Sequence, residues 1–222
     1  SGCARRGAAA VSQIGLPFEW AGRGGSGTFL VSTANEAAAQ HVESWRDWPV
    51  PVSVLSGPPG SGRTTLGAHF VALSRGNILD AVETMADETL FHAWNRALDT
   101  GIPLLLIARE PPVRWTIALP DLRSRLAAAP AVRIEEPDDA LVRALIEAGL
   151  AHAGSAYAQD MPDWLARRIE RSYATVARVV AHLNQASLSS GRKISVAYAK
   201  ETLESAGYLP ILFDDRGSDD KD

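Results

Sequence analysis

The sequence contains one cysteine, Cys3, so no disulfide can form within the chain and stability has to come from a packed core. It has no apolar run of bilayer length, and its most apolar stretch, Pro103 to Ala108, is the size of a buried strand. A dense Lys/Arg cluster is also missing. The net charge is −4, from 22 basic against 26 acidic residues. That balance argues against duplex binding as the main activity, because such binding draws most of its affinity from neutralising phosphates. His41, His69, His92, His152 and His182 are scattered without ligand spacing, which argues against a zinc site. Aromatics are few, and Trp45, Trp48, Trp94, Trp115 and Trp164 are expected to fill or border the core rather than stack on bases. The opening segment from Cys3 to Val11 is basic but too weakly apolar for a signal peptide, so a cytoplasmic protein without membrane partners is expected. What remains is a chain of 222 residues, 46% hydrophobic, able to bury a sizeable core as one large domain or as a domain with a small appendage.

The most informative stretch is Gly57-Pro58-Pro59-Gly60-Ser61-Gly62-Arg63-Thr64, which has the spacing of a phosphate-binding loop with arginine in place of the usual lysine. Gly57, Gly60 and Gly62 allow backbone N–H groups to close around phosphate oxygens, and a helix starting near Gly62 adds its positive dipole end. Arg63, Thr64 and Thr65 complete the candidate nucleotide-binding set. Val50 to Leu55 reads as a buried strand feeding the loop, and Thr64 to Ser74 reads as the helix leaving it. An arginine is a wide planar fork rather than a point charge, so binding is easier to read here than hydrolysis.

Along the chain, residues 1–27 are rich in Gly, Ala and Ser and read as a flexible arm whose one apolar cluster is Ile14 to Phe18. Residues 28–136 alternate strands and helices, which indicates a parallel sheet flanked by helices. Strands are expected at 28–31, 50–55, 77–82, 103–108 and 131–135. The helices between them include one capped by Asn35 and running through Trp48, one capped by Asp87 and ending at Gly101, and a short one at 120–127. Residues 137–208 read as helices only, at 138–153, 162–171, 175–189 and 196–205, and 209–222 as an acidic tail.

A parallel sheet with a phosphate loop followed by a small all-helical lid resembles the AAA+ nucleotide-binding proteins. FLVSTANEAAAQHV (Phe29 to Val42), LLLIAREPP (Leu104 to Pro112), LPDLRSRL (Leu119 to Leu126) and LNQASLSSGRKISVAYAKETL (Leu183 to Leu203) narrow this to the DnaA clade, and within it to the Hda-like DnaA homologues. The resemblance implies a regulator of replication initiation that docks on the sliding clamp and promotes hydrolysis of DnaA-bound ATP, contacting DNA only indirectly. Gln13-Ile14-Gly15-Leu16-Pro17-Phe18 looks like the family's clamp-binding peptide. Gln13 would enter a polar site and Leu16 and Phe18 an apolar pocket, with Pro17 limiting the entropy lost on ordering. Arg125 matches the arginine finger supplied in trans, with Arg123 as a neighbouring candidate and an ion pair to Asp121 as the plain alternative.

Against the family pattern, the departures fall on hydrolysis. Asp80 matches the carboxylate that would hold magnesium, but the next position is Ala81, where active relatives place the water-orienting glutamate; Glu83 lies two residues further on. Ala174 stands where the resemblance places the sensor-2 arginine, with Arg171 and Arg178 expected on other faces. In sensor 1, Arg109 and Glu110 reverse the usual order. Asp80 follows Thr64 by only sixteen positions, so the sheet is expected to be one strand short of the family's. These features leave several readings open: ADP or ATP with magnesium in the loop, an empty loop, and homo-oligomerisation. Beside the regulator stand an autonomous P-loop ATPase of DNA metabolism and a clamp-binding adaptor without effect on nucleotide.

Overall fold

The computed structural model describes residues 12–14 and 29–209, the former as backbone only. Leu16, Pro17 and Phe18, most of the N-terminal arm, and the acidic stretch from Asp214 lie outside the described residues.

Two short strands open the structure: β1 (Ser12–Ile14) pairs antiparallel with β2 (Phe29–Val31), placing Gln13 opposite Leu30. Next come α1 (Glu36–Glu43), β3 (Val52–Ser56), α2 (Arg63–Ser74), β4 (Asn77–Asp80), α3 (Asp87–Thr100), β5 (Leu104–Ala108), α4 (Pro120–Ala128) and β6 (Ala131–Arg133). Four of these strands make an all-parallel sheet in the order β4-β5-β3-β6. β3 and β5 are buried along their whole length, β5 as the unbroken apolar run of a central parallel strand and β3 with the Ser53 and Ser56 hydroxyls satisfied by Pro130 O and Val132 O. Side chains divide by the period of two. Leu55, Leu105 and Ile107 pack with Leu66 and Phe70 of α2 on one face, while Val52, Val54, Leu104 and Leu106 pack with Leu90 and Trp94 of α3 and Leu122 of α4 on the other. Each such fully buried side chain contributes about 1.5–3 kcal/mol.

α2 leads straight into β4, so the described sheet has four strands and β4 forms its edge. That is the shortened sheet expected from the spacing of Thr64 and Asp80.

Four helices follow: α5 (Asp139–His152), α6 (Met161–Ala166), α7 (Tyr173–Ser190) and α8 (Val196–Ser205). They bury their own core, centred on Val142, Ile146, Met161, Leu165, Val179, Leu183 and Leu203. Three start on side-chain caps: Asp138 accepts from Leu141 N, Ser172 from Thr175 N and Ser195 from Tyr198 N, each worth about 1 kcal/mol. The Thr33 hydroxyl donates to Asp138 Oδ2 at 2.7 Å and ties the first cap to the end of β2. Burial pushes the Asp138 carboxyl up, but hydrogen bonds from Thr33 and the Leu141 and Ala140 N–H groups outweigh it, and its pKa lies below the ordinary value.

Several boundaries differ from the sequence expectation for identifiable reasons. α1 stops at Glu43 rather than reaching Trp48. The Ser44 hydroxyl donates to Gln40 O at 2.8 Å, a single 3-10 turn covers Trp45–Asp47, and the Trp48 indole donates back to His41 O at 3.0 Å. Asn35 stands at the N-cap position of α1 but its side chain makes no capping bond; the carboxamide accepts from Ser32 N and donates to Leu30 O, closing the corner after β2. Asp87 lies inside α3, and its Oδ2 accepts from Ala118 N at 2.6 Å and Leu119 N at 2.9 Å, bracing the approach to α4. The strand after α2 ends at Asp80, where Ala81 turns to a left-handed φ of 55°. α6 is shorter than the expected 162–171, ending at Ala166.

Candidate functional site

The loop from Gly57 to Thr64 joins the C-terminal end of β3 to the first turn of α2. Gly62 caps α2 at φ 87°, and a Cβ there would sit 2.8 Å from the Phe29 ring. Gly60 has φ 81°, with Tyr173 from the start of α7 so close that a Cβ would lie 3.3 Å from the Tyr173 Cβ. Both positions need glycine for conformation and for space. The loop is therefore held between the first strand pair and the helical lid. The buried Ser61 hydroxyl has no hydrogen-bond partner among the described residues. An unpaired buried hydroxyl inside a glycine-rich turn at a helix start fits a phosphate group as its missing partner.

Thr64 Oγ1 donates to Asp80 Oδ2 at 3.2 Å, so the hydroxyl and carboxylate expected to share a metal do meet. Thr64 and Asp80 would be the side chains to hold magnesium, a hard cation suited to oxygen ligands, which would supply charge to neutralise phosphate. Arg63 is half-buried, and it makes no ion pair with the described residues. Thr65 stands beside it in the first turn of α2.

The next position in β4's path carries no functional group. Asp80 Oδ1 accepts from Ala81 N at 2.7 Å, and Ala81 itself is exposed. The buried Val82 anchors a 3-10 turn that carries Glu83 sideways to the end of β5, where Glu83 Oε1 accepts from Arg109 N at 3.1 Å. The second carboxylate oxygen of Glu83 is buried without a partner among the described residues. Glu110 turns instead to Arg133 at 3.5 Å, and Arg133 also meets Glu135 at 3.6 Å.

On the lid side, Ala174 N lies 3.9 Å from where a Gly60 Cβ would be, so the structure brings Ala174 to the loop. Arg171 is paired with Asp139 at 3.0 Å. Arg178 follows Ala174 by one helical turn and so shares its face, contrary to the sequence expectation; its guanidinium donates to Thr175 Oγ1 at 3.3 Å. The Tyr173 hydroxyl donates to Glu135 O at 3.1 Å. Burial, with the carboxylates of Glu136, Asp138 and Glu135, raises its pKa well above the ordinary phenol value and keeps it a donor.

The arginines of LPDLRSRL lie on α4. Arg125 Nη1 donates to Asn95 Oδ1 at 2.7 Å, Nη2 meets Asp121 at 2.8 Å, and the guanidinium lies 4.9 Å over the Phe91 ring. The Asp121 pair was readable in the sequence; Asn95 and Phe91 were not, although they lie four residues apart on one face of α3. Arg123 is exposed and donates to Ile117 O. Tyr173 and Phe29, which close on the loop, also went unread. Their only signal was position, immediately before Ala174 and in the segment preceding α1.

Among the described residues, no group of three or more His, Cys, Asp or Glu side chains is gathered to hold a metal, and no helix is long and apolar enough to cross a membrane.

No family profile matches the sequence. Among solved structures, domain III of the Thermotoga maritima replication initiation protein DnaA is similar with a TM-score of 0.68 and 14% identity, over 81% of this chain and 94% of that one. A replication initiator DnaA bound to AMPPCP and single-stranded DNA gives 0.59 and 15%, over 80% of this chain and 66% of that one. The Thermotoga maritima RuvB Holliday junction branch migration motor gives 0.58 and 14%, over 78% and 68%. At these identities the likeness shows the fold alone: a parallel sheet flanked by helices, with a helical part at its C-terminal side, as in domain III of DnaA.

Proposed function

We propose that the protein regulates the start of DNA replication, binding the sliding clamp and supplying an arginine that promotes hydrolysis of ATP held by DnaA. One observation carries this reading: the loop is built and its Thr64–Asp80 pair is in place, yet among the described residues no carboxylate stands free beside them to orient water. Ala81 has none, and Glu83 is committed to Arg109 N–H. Such a site suits retention of ADP or ATP with magnesium more than rapid turnover. A guanidinium in the last turn of a short helix suits action on a neighbour's phosphates. The DnaA-like fold supports a DnaA-type partner. Clamp binding rests on Gln13, Leu16, Pro17 and Phe18, whose chemistry suits an extended peptide filling an apolar pocket.

Two experiments test the halves separately. A clamp pull-down should fail with the Leu16→Ala/Phe18→Ala double variant, and undiminished capture would remove the clamp from the reading. Hydrolysis of DnaA-bound ATP should slow with Arg125→Ala, and an unchanged rate would remove the finger. The Thr64–Asp80 contact favours a second reading, an autonomous ATPase, which predicts turnover by the isolated protein that disappears in Asp80→Asn.

A further inference from the structure

Arg125 is the most heavily engaged cation of the α/β part, although the reading above needs it to leave this molecule. Its three contacts come from two helices and use three different properties of the guanidinium. Nη1 donates to the Asn95 carboxamide, Nη2 donates to the Asp121 carboxylate, and the planar face lies on the Phe91 ring. Its side chain is only 30% exposed, whereas that of Asp121 is 61% exposed. Arg114, six residues before α4, is exposed and has no side-chain partner among the described residues. The difference matters because a phosphate would compete for the same N–H groups that Asp121 and Asn95 now hold. A carboxylate left beside that phosphate would repel it.

We propose that Phe91, Asn95 and Asp121 form a latch that keeps Arg125 withdrawn, and that a nucleoside triphosphate presented by a docked partner releases it by replacing one anion with another. This rests on Arg125 as the finger and adds how that finger is controlled. Asp121 can swing into solvent, and the Asn95 amide can take water in place of the guanidinium, so the latch opens without unfolding either helix. The contacts are of modest strength, which suits a reversible catch: a surface ion pair, one charge-assisted hydrogen bond and one cation–π contact.

The test has two readouts on the intact protein. Phenylglyoxal modification, followed residue by residue by mass spectrometry, should be slower at Arg125 than at Arg114. It should rise at Arg125 in Asn95→Ala and Asp121→Asn, by about tenfold in the double variant if each contact has its usual size. Equal reactivity of Arg125 and Arg114 in the wild type, or no rise in the double variant, overturns the latch. The second readout is hydrolysis of ATP carried by DnaA, with the clamp loaded on DNA. The latch variants should speed it several-fold, and Arg125→Ala should abolish the stimulation in every background. If Arg125→Ala slows hydrolysis but the latch variants do not speed it, the latch fails and the finger stands. If Arg125→Ala changes nothing, the finger fails and the latch with it, as a control on catalysis.

Discussion

The phosphate loop and the arginine helix α4 differ in what each has kept. Around the loop, the backbone is complete and the side chains are depleted. Gly60 and Gly62 hold left-handed turns, Ser61 is buried without a partner among the described residues, and Thr64 reaches Asp80, but the neighbouring positions 81 and 174 carry alanine and so no charge. On α4 the side chain is present and the neighbours restrain it, since Asn95, Asp121 and Phe91 all engage Arg125. On the function proposed above, the first region would hold a ligand and the second would deliver a charge once its restraints are exchanged.

The contrast can be broken most severely at Gly62. Gly62→Val has to place a β-branched residue at φ 87° and push its Cβ into the Phe29 ring. We expect a loss of about 3 kcal/mol from strain and overpacking together, read as a lowered Tm, with nucleotide binding abolished. Arg63→Ala tests whether the loop's guanidinium faces a phosphate: ADP affinity by titration calorimetry should fall by about 10-fold to 100-fold, the size of a lost charged hydrogen bond, with little change in Tm. Tyr173→Phe removes the hydroxyl that joins the lid to Glu135 O and should cost about 1 kcal/mol in denaturant unfolding.

The smallest effect should be one of pH. His41 Nε2 lies 2.6 Å from the Ser53 hydroxyl, which donates to Pro130 O, and its ring stacks on Trp48. Burial lowers the His41 pKa. A lowered pKa means that the unfolded chain takes up the proton first, so this contribution to stability is full above about pH 6.5 and is lost as the pH falls through the folded-state value. His41→Gln should flatten that slope in melts recorded between acid and neutral pH.

Much of the fold was legible because it rests on local rules. The apolar run of β5, the loop spacing, the start of α2 and the lid helices α7 and α8 all follow from periodicity and caps close in sequence. What was not legible depends on distant residues. α1 ends early because the Trp48 indole folds back on His41 O, Asp87 serves the loop before α4 rather than its own helix, and Glu83 reaches Arg109 at the end of the neighbouring strand. The same limit applies to the site. Thr64, Asp80 and Ala174 were placed from spacing and resemblance, and the pair Arg125–Asp121 from its helical interval. The partners Asn95 and Phe91 lie some thirty residues away on another helix and give no local signal.

The most direct test sets the two regions against each other in one assay, hydrolysis of DnaA-bound ATP with the clamp loaded on DNA, comparing wild type, Asp80→Asn and Arg125→Ala. A finger acting in trans predicts that Arg125→Ala slows hydrolysis by about a thousandfold while Asp80→Asn has a minor effect. Loss of activity in Asp80→Asn with Arg125→Ala unaffected would contradict the account and return the chemistry to the protein's own loop.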